Sequence, residues 1–141
     1  MLETVRTFTA LSEEFVEKSL RLWPVAATAA GIHDYDDRLP DDTPEGFQER
    51  GAWLRDLEQR LAASVVWEEM PTEQRVDYAL LRSRISVLRA RLEETRVHAR
   101  DPVRILRPVL DGVALLTARP FAPLEERKEA ILARLMATPD Y

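Results

Sequence analysis

The sequence predicts an all-α fold, an irregular bundle of about five to six helices with proline kinks, and three observations carry that expectation. Apolar residues recur at helical spacing in every long segment. Hydroxyl or acidic residues stand just ahead of proline where several segments begin. No stretch alternates convincingly with the period of two that a half-buried strand needs. Nine prolines against four glycines act as breaks between helices. No internal repeat, low-complexity tract or glycine-serine linker divides the chain, so residues 1–141 read as a single helical domain that could belong to a larger helical protein.

The elements follow in order. Phe8, Leu11, Phe15 and Leu22 fall on one face of a first helix. Pro24 lacks an amide hydrogen and kinks that helix or starts a new one through Val25 to Ala30, for which Gly31 is the left-handed stop. Thr43-Pro44-Glu45 joins a hydroxyl cap, a first-position proline and an acid at the positive end of the dipole. The helix it opens buries Phe47, Leu54, Leu57 and Leu61 and ends near Ala63. Val65, Val66 and Trp67 of the following connector are expected to tuck onto the core. Thr72 and Glu73 open the longest helix, with Leu81, Ile85, Leu88 and Leu92 on one face and an expected end near Val97.

Asp101-Pro102 is another cap and first-position pair, but Pro108 splits the stripe Ile105, Val109, Val113 and Leu116, so this element is expected to kink. After the turn at Arg119-Pro120-Phe121-Ala122-Pro123, a last helix places Leu124, Ile131 and Leu135 inward. Glu125 and Glu126 stand in its first turn and Arg134 in its last, as the macrodipole prefers. The ending Thr138-Pro139-Asp140-Tyr141 reads as the opening of a further element, so an interrupted, longer chain is expected.

Composition excludes several functions. Without cysteine there is no disulfide, thiolate nucleophile or sulfur-ligated metal. A formal net charge of -5 argues against a general nucleic-acid binder, which needs a cationic surface to displace counterions. Arg75, Arg82, Arg89 and Arg96 recur every seven residues, and the expectation is a solvated basic face pairing with acids such as Glu93, the alternative being docking to an acidic partner. No signal peptide or membrane-length apolar run is present, so no membrane association and a cytoplasmic address are expected.

The search for chemistry is mostly negative. Gly31, Gly46, Gly51 and Gly112 are too scattered for a phosphate-cradling loop, and no serine sits in a nucleophile elbow. The two histidines, His33 and His98, lie far apart in sequence, which is a poor start for a zinc site. The one dense polar cluster is the turn His33, Asp34, Tyr35, Asp36, Asp37 and Arg38. Counted from Asp34 as a calcium loop, it has leucine where glycine is required. Three readings stay open. The turn stabilises itself, with Asp34 and Asp36 capping amides, Asp37 pairing with Arg38, and His33 and Tyr35 hydrogen-bonding; it lines a cleft; or it binds a metal weakly. No catalytic and no metal residue is assigned.

The order A-T-A-A-G-I-H-D-Y-D-D-R-L, P-T-E-Q-R-V-D-Y-A-L-L-R-S-R, R-D-P and R-P-F-A-P-L-E-E-R-K-E-A-I-L-A-R-L resembles the amino-terminal part of the bacterial domain of unknown function 885 family, from about Phe15 to Pro139. The resemblance implies a long, mostly helical protein whose carboxyl-terminal part carries a zinc metallopeptidase-like histidine and glutamate motif. None of those residues is present here, so the resemblance transfers no catalytic role and no cofactor to this chain. The expected partners are the remaining carboxyl-terminal part of the same protein or a second copy through self-association. The alternative is a free-standing helical protein-interaction module.

Overall fold

The computed structural model describes residues 2–140, the side chains of Val97 and Asp140 excepted. The fold is all-α, with no strand among the described residues. In chain order the helices are α1 (Leu2–Leu22), α2 (Pro24–Ala29), α3 (Pro44–Ser64), α4 (Thr72–Arg89), α5 (Val97–Arg100), α6 (Val103–Ala118) and α7 (Leu124–Ala137). Short 3-10 turns cover Trp67–Glu69 and Thr138–Asp140, and a π-helical turn covers Ala90–Glu94. Tyr141 lies outside the described residues.

The start signals act as the local chemistry requires. Pro24 occupies the first turn of α2, where its missing amide hydrogen costs nothing. Ahead of α3, the Thr43 hydroxyl accepts the Gly46 amide at 3.1 Å and donates to Asp41 Oδ1 at 2.6 Å. Ahead of α6, Asp101 Oδ1 accepts the Val103 amide at 3.1 Å.

The chain divides into two compact units, residues 2–17 with 47–97, and residues 18–46 with 98–140. The first is an aliphatic and aromatic core. It buries Phe8 and Leu11 of α1, Leu54, Leu57 and Leu61 of α3, and Tyr78, Leu81, Ile85 and Leu88 of α4. Those offsets of three, four and seven are one face of each helix. Phe8 meets Tyr78 with ring centroids 6.0 Å apart, and Phe15 stacks on Trp53 at 5.9 Å. Arg60 grips both carboxylate oxygens of Glu14, at 2.6 and 2.8 Å, and Trp53 Nε1 donates to the same group at 3.3 Å.

The heptad arginines do not form one uniform face. Arg89 pairs with Glu58 and with Glu93, which also binds Arg55. Arg75 donates instead to the carbonyls of Met70 and Glu68, at 3.0 and 3.1 Å, and lies over Trp67. Arg82 lies over Tyr78.

Two expectations for this unit are corrected. Val65 is buried, but Val66 and Trp67 stay exposed, because the turn at Trp67–Glu69 points Met70 inward instead. The helix that opens at Thr72, α4, leaves regular α geometry at Ala90 rather than running unbroken to Val97, so its 18 residues make it shorter than the 21-residue α1 and α3 and not the longest helix. Thr95 closes a wider turn, its amide donating to Ala90 O at 2.9 Å and its hydroxyl to Arg91 O at 3.2 Å, and Arg96 then takes a φ of 45° that ends the helix.

The second unit is built from α2, α6 and α7 with the loop that follows α2. Here α6 runs continuously through Pro108 rather than splitting there. The proline withdraws one helix donor where residues 103–107 are exposed, so water can serve the carbonyl left behind. Leu116 is fully buried. The expectation that Leu124 and Leu135 face inward fails, since both are exposed, while Ile131 is half-buried. The residue that α7 buries completely is Arg134.

Candidate functional site

The polar turn is aimed by the end of α2. Gly31, at a φ of 84°, turns the chain, with its amide on Thr28 O at 3.0 Å and the Ile32 amide on Ala27 O at 2.9 Å. These two bonds satisfy the last carbonyls of α2 in the glycine-stopped pattern. Two tight turns follow, Asp36 amide to His33 carbonyl at 3.3 Å and Arg38 amide to Tyr35 carbonyl at 3.2 Å. They fold Asp36 inward, where it is buried, and leave Asp34 and Asp37 outside.

Asp36 meets side chains rather than the backbone amides expected of it. Its Oδ1 accepts the Thr28 hydroxyl at 2.6 Å, and its Oδ2 lies 2.7 Å from His33 Nδ1. The His33 ring stacks almost parallel on Phe121, with centroids 3.6 Å apart, which ties the turn to the segment ahead of α7. Asp37 pairs with Arg38 at 3.4 Å on the surface, as expected. Arg38 also lies 5.9 Å from the Tyr35 ring centre, but among the described residues the Tyr35 hydroxyl has no hydrogen-bond partner. Asp34 is exposed and makes no polar contact among the described residues.

The centre of the cluster is Arg134, on the last turns of α7. Its Nε donates to Arg38 O at 3.1 Å, its Nη1 to Gly112 O at 2.5 Å, and its Nη2 to Thr28 Oγ1 at 2.7 Å. Asp36 Oδ1 lies 3.6 Å from the same Nη2. Thr28 has one proton to give. The 2.6 Å contact to a carboxylate takes it in preference to the 3.1 Å contact with Pro24 O, so polarity runs from Arg134 through Thr28 to Asp36. Burial pushes the Arg134 pKa below its ordinary value, and the charges of Asp36 and then Asp37 oppose that push. An arginine starts so far above neutrality that it stays ionised.

Sequence reasoning placed Arg134 near a helix end as a dipole partner and missed its position at the hub. Two signals point there in retrospect. Gly112 interrupts a helix at a conformational cost, and a Cβ at that position would lie 3.4 Å from the Arg134 Cδ and Nη1 atoms. Thr28 breaks the apolar run of α2 because its hydroxyl is needed. A second arginine of α7, Arg127, closes the preceding turn by donating to Ala122 O at 3.1 Å and to Arg119 O at 3.4 Å.

Among the described residues no group of three or more histidine, aspartate or glutamate side chains converges as a metal site. The Nδ1 atom of His33 is already committed to Asp36. The geometry is that of a charged fastener joining α2, its following turn, α6 and α7.

The fold and the cluster define an all-α protein organised, in its second unit, around one buried ion pair. The chain belongs to the family described as bacterial protein of unknown function (DUF885), whose profile matches residues 24–141. That span takes in Thr28, the whole turn, Gly112 and Arg134. No curated protein and no solved structure gives a significant match. No helix among the described residues is long and apolar enough to cross a membrane.

Proposed function

We propose that these residues form a non-catalytic, amino-terminal helical domain of a protein resembling the zinc metallopeptidases, and that the His33 to Arg38 turn fixes this domain's shape. The observation that carries the reading is the engagement of Asp36. Both of its oxygens are taken by Thr28 and His33, with Arg134 beside them, so the most chemistry-bearing carboxylate of the turn has no free face for a substrate or metal. In a peptidase-like relative the nucleophile would be a zinc-bound water with a glutamate as base, and among the described residues no such ligand set comes together. A cytoplasmic address belongs to the same proposal.

A second reading, a free-standing protein-interaction module, draws support from Val103, Leu106 and Leu110. These lie along one side of α6 and are exposed. The remaining carboxyl-terminal part of the protein, or a second copy, would be the partner that covers them.

The test has two arms. Metal analysis and peptide-hydrolysis assays on the untagged chain are expected to give no stoichiometric zinc and no turnover, and one zinc per chain would overturn the non-catalytic reading. Sequencing the gene downstream of the Tyr141 codon separates the two readings. A continuing frame with paired histidines and a glutamate supports the peptidase-like protein, and a stop codon there supports the free module.

A further inference from the structure

The second unit holds a groove of about 580 Å³ between α2 and α6 that the buried ion pair does not use. We propose that it binds a small amphipathic anion, a monocarboxylate with a medium-length aliphatic body. The proposal does not rest on the reading of the chain as a peptidase-like domain.

The apolar half of the site follows from side-chain size. Ala26 and Ala29 of α2 face Ala114 and Ala118 of α6 across the groove, with Trp23 and Leu115 also lining it. On α6 the offsets of 104, 107, 111, 114 and 118 are one helix face, so a single face carries both the charged and the apolar lining. Beside the groove Gly112 of α6 admits Val25, which also lines it, with 3.3 Å between a Cβ at that position and the Val25 Cγ2 atom, so the two helices approach closely there. The alanines leave open a volume that larger side chains would fill. It lies within the range of roughly 300–1,000 Å³ typical of small-molecule sites, which are likewise mostly apolar with a few polar anchors.

The charged half sets the sign of the ligand. Arg104 and Arg107 line the groove, and neither guanidinium has a hydrogen bond or ion pair among the described residues, although the Arg104 backbone amide donates to Asp101 O at 3.1 Å. Both lie in the first two turns of α6, which carries no acid in its first turn; the carboxylate nearest that end, Asp101, is engaged in capping the Val103 amide. Asp111 is the one acid in the lining, one turn beyond Arg107, leaving an excess of one positive charge. Two unengaged guanidinium groups at one end of an apolar trough complement a carboxylate followed by an aliphatic chain. They offer too little charge for a polyphosphate and repel a cation.

The test is titration of the full chain with decanoate below its micellar concentration, followed by calorimetry and by the indole N–H signals of the three tryptophans. Saturable one-to-one binding is expected, with the Trp23 signal moving and those of Trp53 and Trp67 unmoved. Decanol should bind at least about tenfold more weakly, as should decanoate to the exposed-residue variant Arg104→Gln/Arg107→Gln, since each loses a charge-assisted contact. Ala114→Phe, also at an exposed position, should fill the trough and abolish binding while helical circular dichroism is retained. No saturable binding, equal affinity for decanol, a shift centred on Trp67, or indifference to both sets of substitutions would overturn the proposal.

Discussion

Arg134 donates to the hydroxyl of Thr28 at 2.7 Å across 106 positions of sequence, and this contact joins the last turns of α7 to α2. A fully desolvated guanidinium is tolerated here because Arg38 O, Gly112 O and Thr28 each accept from one of its three nitrogens and Asp36 supplies the counter-charge.

Arg134→Met is therefore expected to destabilise the protein by about 3–5 kcal/mol, the usual result of removing one partner from a buried pair. The side chain lost was neutralising Asp36, which then remains buried with only Thr28 and His33. Arg134→Lys should cost nearly as much, because a single ammonium cannot reach three acceptors on different elements. Urea unfolding followed by circular dichroism measures both, and a loss under 1 kcal/mol for either would contradict the hub.

Thr28→Val keeps the shape of the side chain but removes the hydroxyl that accepts from Arg134 and donates to Asp36. The expected loss is about 1–3 kcal/mol, with two charged groups deprived of a partner. Thr28→Ser should be much milder. In a double-mutant cycle with Arg134→Met the two losses should fall well short of additivity, because they break the same network.

How far the sequence revealed this arrangement depended on range. Pro24, Thr43 and Gly31 act on their immediate neighbours, so the limits of α2 and the start of α3 could be read from spacing. The hub could not, because Arg134, Gly112 and Thr28 lie far apart in the chain and each has an ordinary local explanation. The apolar pattern misled in α7 for a related reason. Leu124 and Leu135 look like a core stripe, but the buried face of that helix is centred on a charged residue whose partners lie on other elements. In α4 the stripe was legible through Leu88, while the wide turn at Ala90–Glu94 depends on Thr95 bonds that periodicity does not encode.

The cluster of Arg55, Arg89 and Glu93 should give the first unit an acid-sensitive contribution. Burial acts to raise the Glu93 pKa, but the hydrogen bonds from Arg89 and Arg55 outweigh it and the net shift is downward. With a folded value below the unfolded one, the stabilisation is complete above the ordinary carboxylate pKa and is lost as pH falls through the folded value. Unfolding curves between about pH 7 and about pH 3 should show Glu93→Gln less stable than the parent at the upper end and converging with it at the lower. A gap that stays constant across that range would show that the ion pairs contribute nothing. High salt should narrow the gap at neutral pH, since these groups are partly exposed.

Gly31 and Arg96 pose the same backbone question with opposite residues. Gly31 sits at a φ of 84° and a Cβ there would meet nothing within 4 Å, so Gly31→Ala carries a purely conformational cost of about 1–2 kcal/mol. Arg96 sits at a φ of 45° and bears a side chain that left-handed geometry disfavours. Arg96→Gly should remove that strain while adding freedom to the unfolded chain, for a net gain of roughly 0.5 kcal/mol. Asparagine, which tolerates this conformation better than other side chains, should fall between the extremes at both positions. Thermal and urea unfolding of the four variants checks the pattern. A stabilised Gly31→Ala or a strongly destabilised Arg96→Gly would mean that side-chain contacts, not backbone geometry, select the residues that end α2 and the π-helical turn.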